Sequence, residues 1–178
     1  MTTASSRVLH QWRGLSLIND KADAPGGHEV EYTFVRHPGS VMVIPVAPSG
    51  NLLLVEQYRY VIQTPSLEFP AGGLEPGESP QEAATRELKE ETRYVAQQWE
   101  RIGEFFTTNG LTDERMTVFL AQGLDRDRAT GGGDGSEDII VVKQLSFEEL
   151  CGMVSDGLIT DGPTIACLHY FREFLARR

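Results

Sequence analysis

Residues 72–94 read GGLEPGESPQEAATRELKEETRY, joining a glycine turn, a helix start and a crowd of glutamates. The helix start is written locally. Ser79 supplies a capping hydroxyl, Pro80 falls at the first helical position where its missing N–H costs nothing, and Glu82 completes a Ser-x-x-Glu capping box. Nothing breaks the helix from Ala83 to about Thr92. At roughly 100° per residue, Glu87, Glu90 and Glu91 fall within about one third of the circumference, beside an apolar stripe of Ala84 and Leu88. Like charges at this spacing repel, and a bound cation would reverse that sign. A bare Glu-x-x-Glu-Glu also suits a solvated acidic helix face. The spacing upstream decides between the two readings.

Gly72 is followed after five residues by Glu78, and Glu78 after seven by Arg86-Glu87-Leu88-Lys89-Glu90-Glu91, with Tyr94 three residues later. This pattern resembles the Nudix box of the Nudix hydrolases. One position departs from it: Arg93 stands where the family usually has the glycine that ends the helix, often in a left-handed conformation. An Arg there costs about 1 kcal/mol or reshapes the exit, with no metal ligand lost.

Further stretches extend the likeness. Glu56-Gln57-Tyr58-Arg59, Leu67 to Gly73, and Gly110-Leu111-Thr112-Asp113-Glu114 resemble the ADP-ribose and ADP-sugar diphosphatase branch of that family, over roughly residues 30–175. Asn109 departs from the proline that this branch often carries before the loop glycine, so the diphosphate chemistry is better marked than base and sugar. The resemblance implies an α/β/α sandwich around a mixed sheet. It also implies Mg²⁺, with Mn²⁺ as the alternative ion, and hydrolysis of a nucleoside diphosphate sugar, foremost ADP-ribose to AMP and ribose 5-phosphate. GDP-mannose, another sugar nucleotide, a nucleoside triphosphate and a non-hydrolytic ligand sensor are the alternatives.

The residue roles follow the matched positions. Glu87, Glu90, Glu91 and the carbonyl of Ala71 are the metal ligands, and Glu78 either joins them or positions the loop. Arg86 holds the glutamates by ion pairing. Arg59, Glu68 and Glu114 face the substrate. Glu137, in a GSEDII run, is the late-loop glutamate that assists catalysis as base or as ligand of a further ion, with Asp138 as its alternative. Trp12 and Tyr32 are candidate platforms for the adenine, in an N-terminal sheet that in this branch packs across a homodimer.

Composition sets the outer bounds. The 178 residues suit one domain with a substantial core, 40% are hydrophobic, and 16 basic against 26 acidic residues give a net charge of −10. That balance argues against nucleic-acid partners and acidic membranes. No signal-like run and no stretch of membrane-span length are present, and Cys151 and Cys167 read as reduced core residues of a cytoplasmic protein.

Along the chain, residues 1–37 read as an N-terminal β extension and dimer contact, and 38–178 as the hydrolase domain. Val30, Tyr32 and Phe34 alternate with Glu29, Glu31 and Thr33 at the period of a half-buried strand. SVMVIPVAP reads as a strand buried on both faces, forming with NLLLVEQYRY a hairpin in the main sheet. WERIGEFFTT, ERMTVFLAQG and IIVVKQL read as later strands. Ser146 and Glu149 cap one C-terminal helix, and Gly162-Pro163 opens another that turns Ile165, Leu168, Phe171 and Phe174 or Leu175 to the core.

Overall fold

The computed structural model describes residues 1–127 and 141–178, so Glu137 and Asp138 lie outside the described residues. Its central strand is β4 (Ser40–Pro45), buried at every position. Both edges of β4 are taken. It pairs antiparallel with β7 (Ala71–Gly73) and parallel with β9 (Arg115–Arg126), and β8 (Tyr94–Phe106) completes a mixed sheet ordered β7-β4-β9-β8. A second sheet, ordered β10-β5-β6, contains β5 (Leu52–Arg59), β6 (Thr64–Glu68) and β10 (Val141–Leu145).

The expected hairpin of β4 with β5 in one sheet is therefore corrected. The turn does close, with Ala47 N–H donating to the Asn51 carbonyl at 2.8 Å and a single bridge between Val46 and Leu52. The strands then part, because the backbone groups along both sides of β4 are already paired.

Strand alternation sorts the core into two layers. Val41, Val43, Phe119 and Ala121 pack with Ala83, Ala84 and Leu88 of α1 (Pro80–Thr92). Met42, Ile44, Val118 and Leu120 face the other way, onto Leu150 of α2 (Phe147–Ser155) and Cys167, Leu168 and Phe171 of α3 (Gly162–Ala176). Helices thus cover both faces of the sheets, the expected α/β/α sandwich.

The helix ends follow local chemistry. Ser79 and Glu82 form both halves of the capping box, and Ser146 with Glu149 does the same for α2. Arg93 takes φ +62°, and its N–H donates to the Lys89 carbonyl at 3.0 Å, so the helix exits in the left-handed geometry of the missing glycine. Burying Leu88 contributes roughly 2 kcal/mol, which outweighs the few tenths lost to repulsion between neighbouring carboxylates. Packing holds the acidic face in place.

Two side-chain expectations are corrected. On α3 the buried stripe is Thr164, Cys167, Leu168 and Phe171, so Ile165 lies 38% exposed, and Leu175 is exposed beyond the partly buried Phe174. Cys151 is exposed because α2 turns Leu150 inward, whereas Cys167 is buried.

The N-terminal residues form the expected antiparallel sheet, with β1 (Thr2–Trp12), β2 (Leu15–Asp23) and β3 (Glu29–Arg36) in that order. Arg13 and Gly14, both at positive φ, make the tight turn between β1 and β2. The Val35 N–H donates to the Leu111 carbonyl at 2.9 Å and the Val35 carbonyl accepts from Asp113 N–H at 3.3 Å, tying this sheet to the loop before β9. Among the described residues, no helix is long and apolar enough to cross a membrane.

Candidate active site

The acidic face of α1 meets the turn that β7 brings alongside it. Gly72 is needed for that approach: a Cβ there would lie 1.8 Å from Glu87 Oε1 and 2.1 Å from its Cδ. One residue earlier, the Ala71 N–H donates to Glu91 Oε2 at 3.2 Å. Ala71, Gly72, Glu87 and Glu91 are thereby gathered from two elements.

Arg86 organises the surrounding charges. Its Nε and one terminal nitrogen each reach Glu78 at 3.0 Å, the latter also donates to the Gly73 carbonyl at 3.0 Å, and the other terminal nitrogen reaches Glu87 at 2.6 Å and Glu90 at 3.2 Å. Glu78 also accepts from the Glu75 N–H at 3.0 Å, so both its oxygens are occupied in the loop. Its hydrogen bonds from Arg86 and Glu75 hold its carboxyl below the ordinary carboxylate range.

The inner carboxyls behave in the opposite way. Burial pushes Glu91 up to about 8, with the charge of Glu87 adding to the effect. Burial also raises Glu87, against the opposing pull of Arg86. Glu90 is the most open of the three, its side chain 56% exposed.

Beside them, Arg59 and Glu68 form a two-pronged ion pair, with Arg59 Nε at 2.9 Å from Glu68 Oε1 and a terminal nitrogen on the second oxygen. Glu68 is 4% exposed. Burial works to raise its pKa, but hydrogen bonds from Arg59, Ser66 and Gln57 outweigh burial and leave it lowered. The charges of Glu91 and Asp161 act on Arg59, which places that pair within the field of the α1 carboxylates.

Other candidates sit differently. Glu114 is held by the Ser40 hydroxyl at 2.7 Å and the Thr107 hydroxyl at 2.6 Å, with His37 Nε2 at 3.7 Å, joining the turn before β4 to the loop before β9. Trp12 and Tyr32 are 40% and 46% exposed, and their contacts stay within the N-terminal sheet, with His10 and Met1 respectively. Sequence reasoning missed Asp161 and Thr164; the one local signal is an Asp-x-x-Thr spacing at the start of α3, where the Gly162-Pro163 opening alone was read.

The donor set fits a hard divalent cation. All the side-chain donors are oxygens, partial burial and mutual repulsion disfavour the ionised forms of Glu87 and Glu91, a penalty that a cation would offset, and Gly72 lets the Glu87 carboxylate lie against the β7 backbone. As the side chains stand, Glu87 and Glu90 turn to Arg86. Accordingly, among the described residues, no three acidic, His or Cys side chains surround a common point.

Fold and acidic face together define a Nudix-type hydrolase, a class that works with divalent metal ions. The chain belongs to the NUDIX domain family, whose model matches residues 35–166. It is 32% identical over 170 residues to a methanol dehydrogenase activator of Bacillus methanolicus, covering 96% of this chain and 91% of that protein. It is 30% identical over 170 residues to an ADP-ribose pyrophosphatase of Bacillus subtilis, with the same coverage of 96% and 91%. The crystal structure of an ADP compounds hydrolase superimposes with a TM-score of 0.84 at 21% identity, covering 98% of this chain and 94% of that one, a likeness of fold.

Proposed function

We infer that the protein hydrolyses the diphosphate bond of nucleoside diphosphate sugars, with ADP-ribose giving AMP and ribose 5-phosphate as the leading reaction. The observation that carries this reading is the part-buried pair Glu87 and Glu91 against Ala71 and Gly72 of β7, with the Arg59–Glu68 pair beside it. A solvated acidic stripe would have no reason to turn carboxylates inward next to each other or to demand a glycine opposite them.

In this reading Glu87, Glu90, Glu91 and the Ala71 carbonyl hold Mg²⁺, with Mn²⁺ as the alternative ion. Glu78 either joins them or positions the loop, where its two oxygens accept from Arg86 and Glu75. A divalent cation held by these residues would supply neutralisation of the diphosphate charge and a lowered pKa for the attacking water. Arg59, fixed by Glu68, presents its guanidinium to the phosphates. Glu137 assists the proton transfer from water. Glu68 and Glu114 belong to the substrate side, Glu114 held there by the Ser40 and Thr107 hydroxyls.

Residues 1–37 serve as the dimer contact in this reading. Val8, Leu9, Trp12 and Tyr32 leave apolar surface exposed on that sheet, and Trp12 and Tyr32 complete the partner's base-binding side. A monomeric mass by light scattering would remove that part. The cytoplasm is the proposed compartment.

The test is turnover of purified protein on ADP-ribose, ADP-glucose, GDP-mannose and nucleoside triphosphates with Mg²⁺, with and without a chelator. ADP-ribose is expected to be the best substrate, and turnover is expected to stop with the chelator. Release of no phosphate product from any of them would favour a ligand sensor.

A further inference from the structure

Three residues lead from β6 into the Gly72 turn, and each is pinned to a different element. The Phe69 N–H donates to Thr164 Oγ1 at 3.2 Å, a buried bond between residues 95 positions apart. The Pro70 carbonyl accepts from the Val43 N–H at 2.8 Å, and the Ala71 N–H donates to Glu91 Oε2 at 3.2 Å. The segment is thus held by α3, β4 and α1 in succession.

The first of these anchors has its own support. Thr164 and Phe69 are both 0% exposed. Asp161 caps α3 by accepting the Thr164 N–H on Oδ2 at 2.8 Å. The Thr164 hydroxyl oxygen presents a lone pair to the Phe69 N–H. Asp161 therefore fixes the helix start that carries the acceptor, and the acceptor locates the backbone.

We propose that Thr164, held at the start of α3 by the Asp161 cap, is a positioning residue for the metal-holding segment, setting where the Ala71 carbonyl and Glu91 come together. The proposal rests on the reading that Ala71 and Glu91 hold the ion. Removing the hydroxyl leaves a buried N–H without its acceptor, and the backbone must move to find another. Movement at Phe69 reaches Ala71 within two residues. Groups that orient metal ligands from behind typically account for about 10- to 100-fold in metal affinity or activity.

The experiment titrates Mn²⁺ into the full chain, following free ion by electron paramagnetic resonance, for wild type, Thr164→Ser and Thr164→Val, with melting temperatures alongside. Thr164→Ser, which keeps the hydroxyl, should bind within about threefold of wild type, and Thr164→Val should bind Mn²⁺ about tenfold more weakly at a temperature where it is fully folded. A purely structural role would lower the melting temperature of Thr164→Val without moving Mn²⁺ affinity, and that result overturns the proposal.

Asp161→Ala, which removes the acceptor of the Thr164 N–H, is measured in parallel and decides the matter if Thr164→Val does not fold. Several-fold weaker Mn²⁺ binding supports the proposal, and unchanged binding overturns it. The readout needs no substrate. A wild type that binds Mn²⁺ but cleaves no sugar nucleotide defeats the proposed reaction and leaves this test standing, whereas a wild type that binds no Mn²⁺ defeats both.

Discussion

Gly72→Ala places a methyl group where the Glu87 carboxylate now lies. The added carbon would sit 1.8 Å from Oε1, and ordinary van der Waals contact begins at 3.4 Å. The carboxylate must therefore withdraw by about 1.6 Å. Glu87 cannot do so alone, since Arg86 holds it at 2.6 Å and the same guanidinium holds Glu78 and Glu90. A displacement above 1 Å at a ligand of the reacting group typically costs about 100-fold in rate. The fold itself tolerates an alanine in a short strand, so the melting temperature should move by only a few degrees. Steady-state hydrolysis of ADP-ribose with a Mg²⁺ titration, beside a thermal melt, separates the two effects. A Gly72→Ala variant that turns over within threefold of wild type would refute the reasoning, because the glycine would then be serving the strand and not the carboxylate.

The remaining expectations concern charge, backbone and the late loop. Glu91 is raised to about 8 by burial, so in metal-free protein it stays protonated in the fold between its unfolded value near 4.5 and about 8. The folded state then binds more protons than the unfolded one, and stability falls as pH rises through that window. Thermal melts from pH 5 to 9 should show this decline, Glu91→Gln should flatten it, and a decline that persists unchanged in the variant contradicts the assignment. Arg93→Gly relieves the φ of +62° and should stabilise by about 0.5–1 kcal/mol in urea unfolding with turnover unchanged; a loss of stability would mean the Arg side chain contributes more than its backbone costs. Arg59→Ala strands the buried Glu68 carboxylate, so unfolding should become easier by about 1–3 kcal/mol while KM for the sugar nucleotide rises. An unchanged KM would take Arg59 out of the substrate site. Glu137→Gln should lower kcat greatly while substrate still binds by calorimetry, and near-normal kcat would sink its catalytic role.

What was legible in the residues was mostly what local chemistry decides. Ser79, Pro80 and Glu82 set the start of α1 within three residues of each other, and the spacing of Glu87, Glu90 and Glu91 follows from helix geometry alone. The partition of β4 and β5 between two sheets was not legible. It depends on Ala71 and Met116 reaching the two sides of β4 from distant parts of the chain. The same holds for Thr164, whose partner Phe69 lies 95 positions away, and for Glu114, whose hydroxyl partners include Ser40, 74 positions away. Ile165 was placed in the core because several apolar registers fit α3, and only packing against the sheet selects the stripe through Cys167 and Leu168. Arg86 carried the opposite lesson: its sequence position beside the glutamates suggested ion pairing, and its contacts with Glu78, Glu87 and Glu90 are of that kind.

The most direct measurement is chromatographic release of AMP and ribose 5-phosphate from ADP-ribose by wild type and Glu91→Gln, side by side in Mg²⁺. The account predicts that wild type forms the two products in equal amounts and that Glu91→Gln, folded to the same extent, forms them at least about 100-fold more slowly. Equal rates in the two proteins would contradict the claim that the acidic face of α1 performs the chemistry.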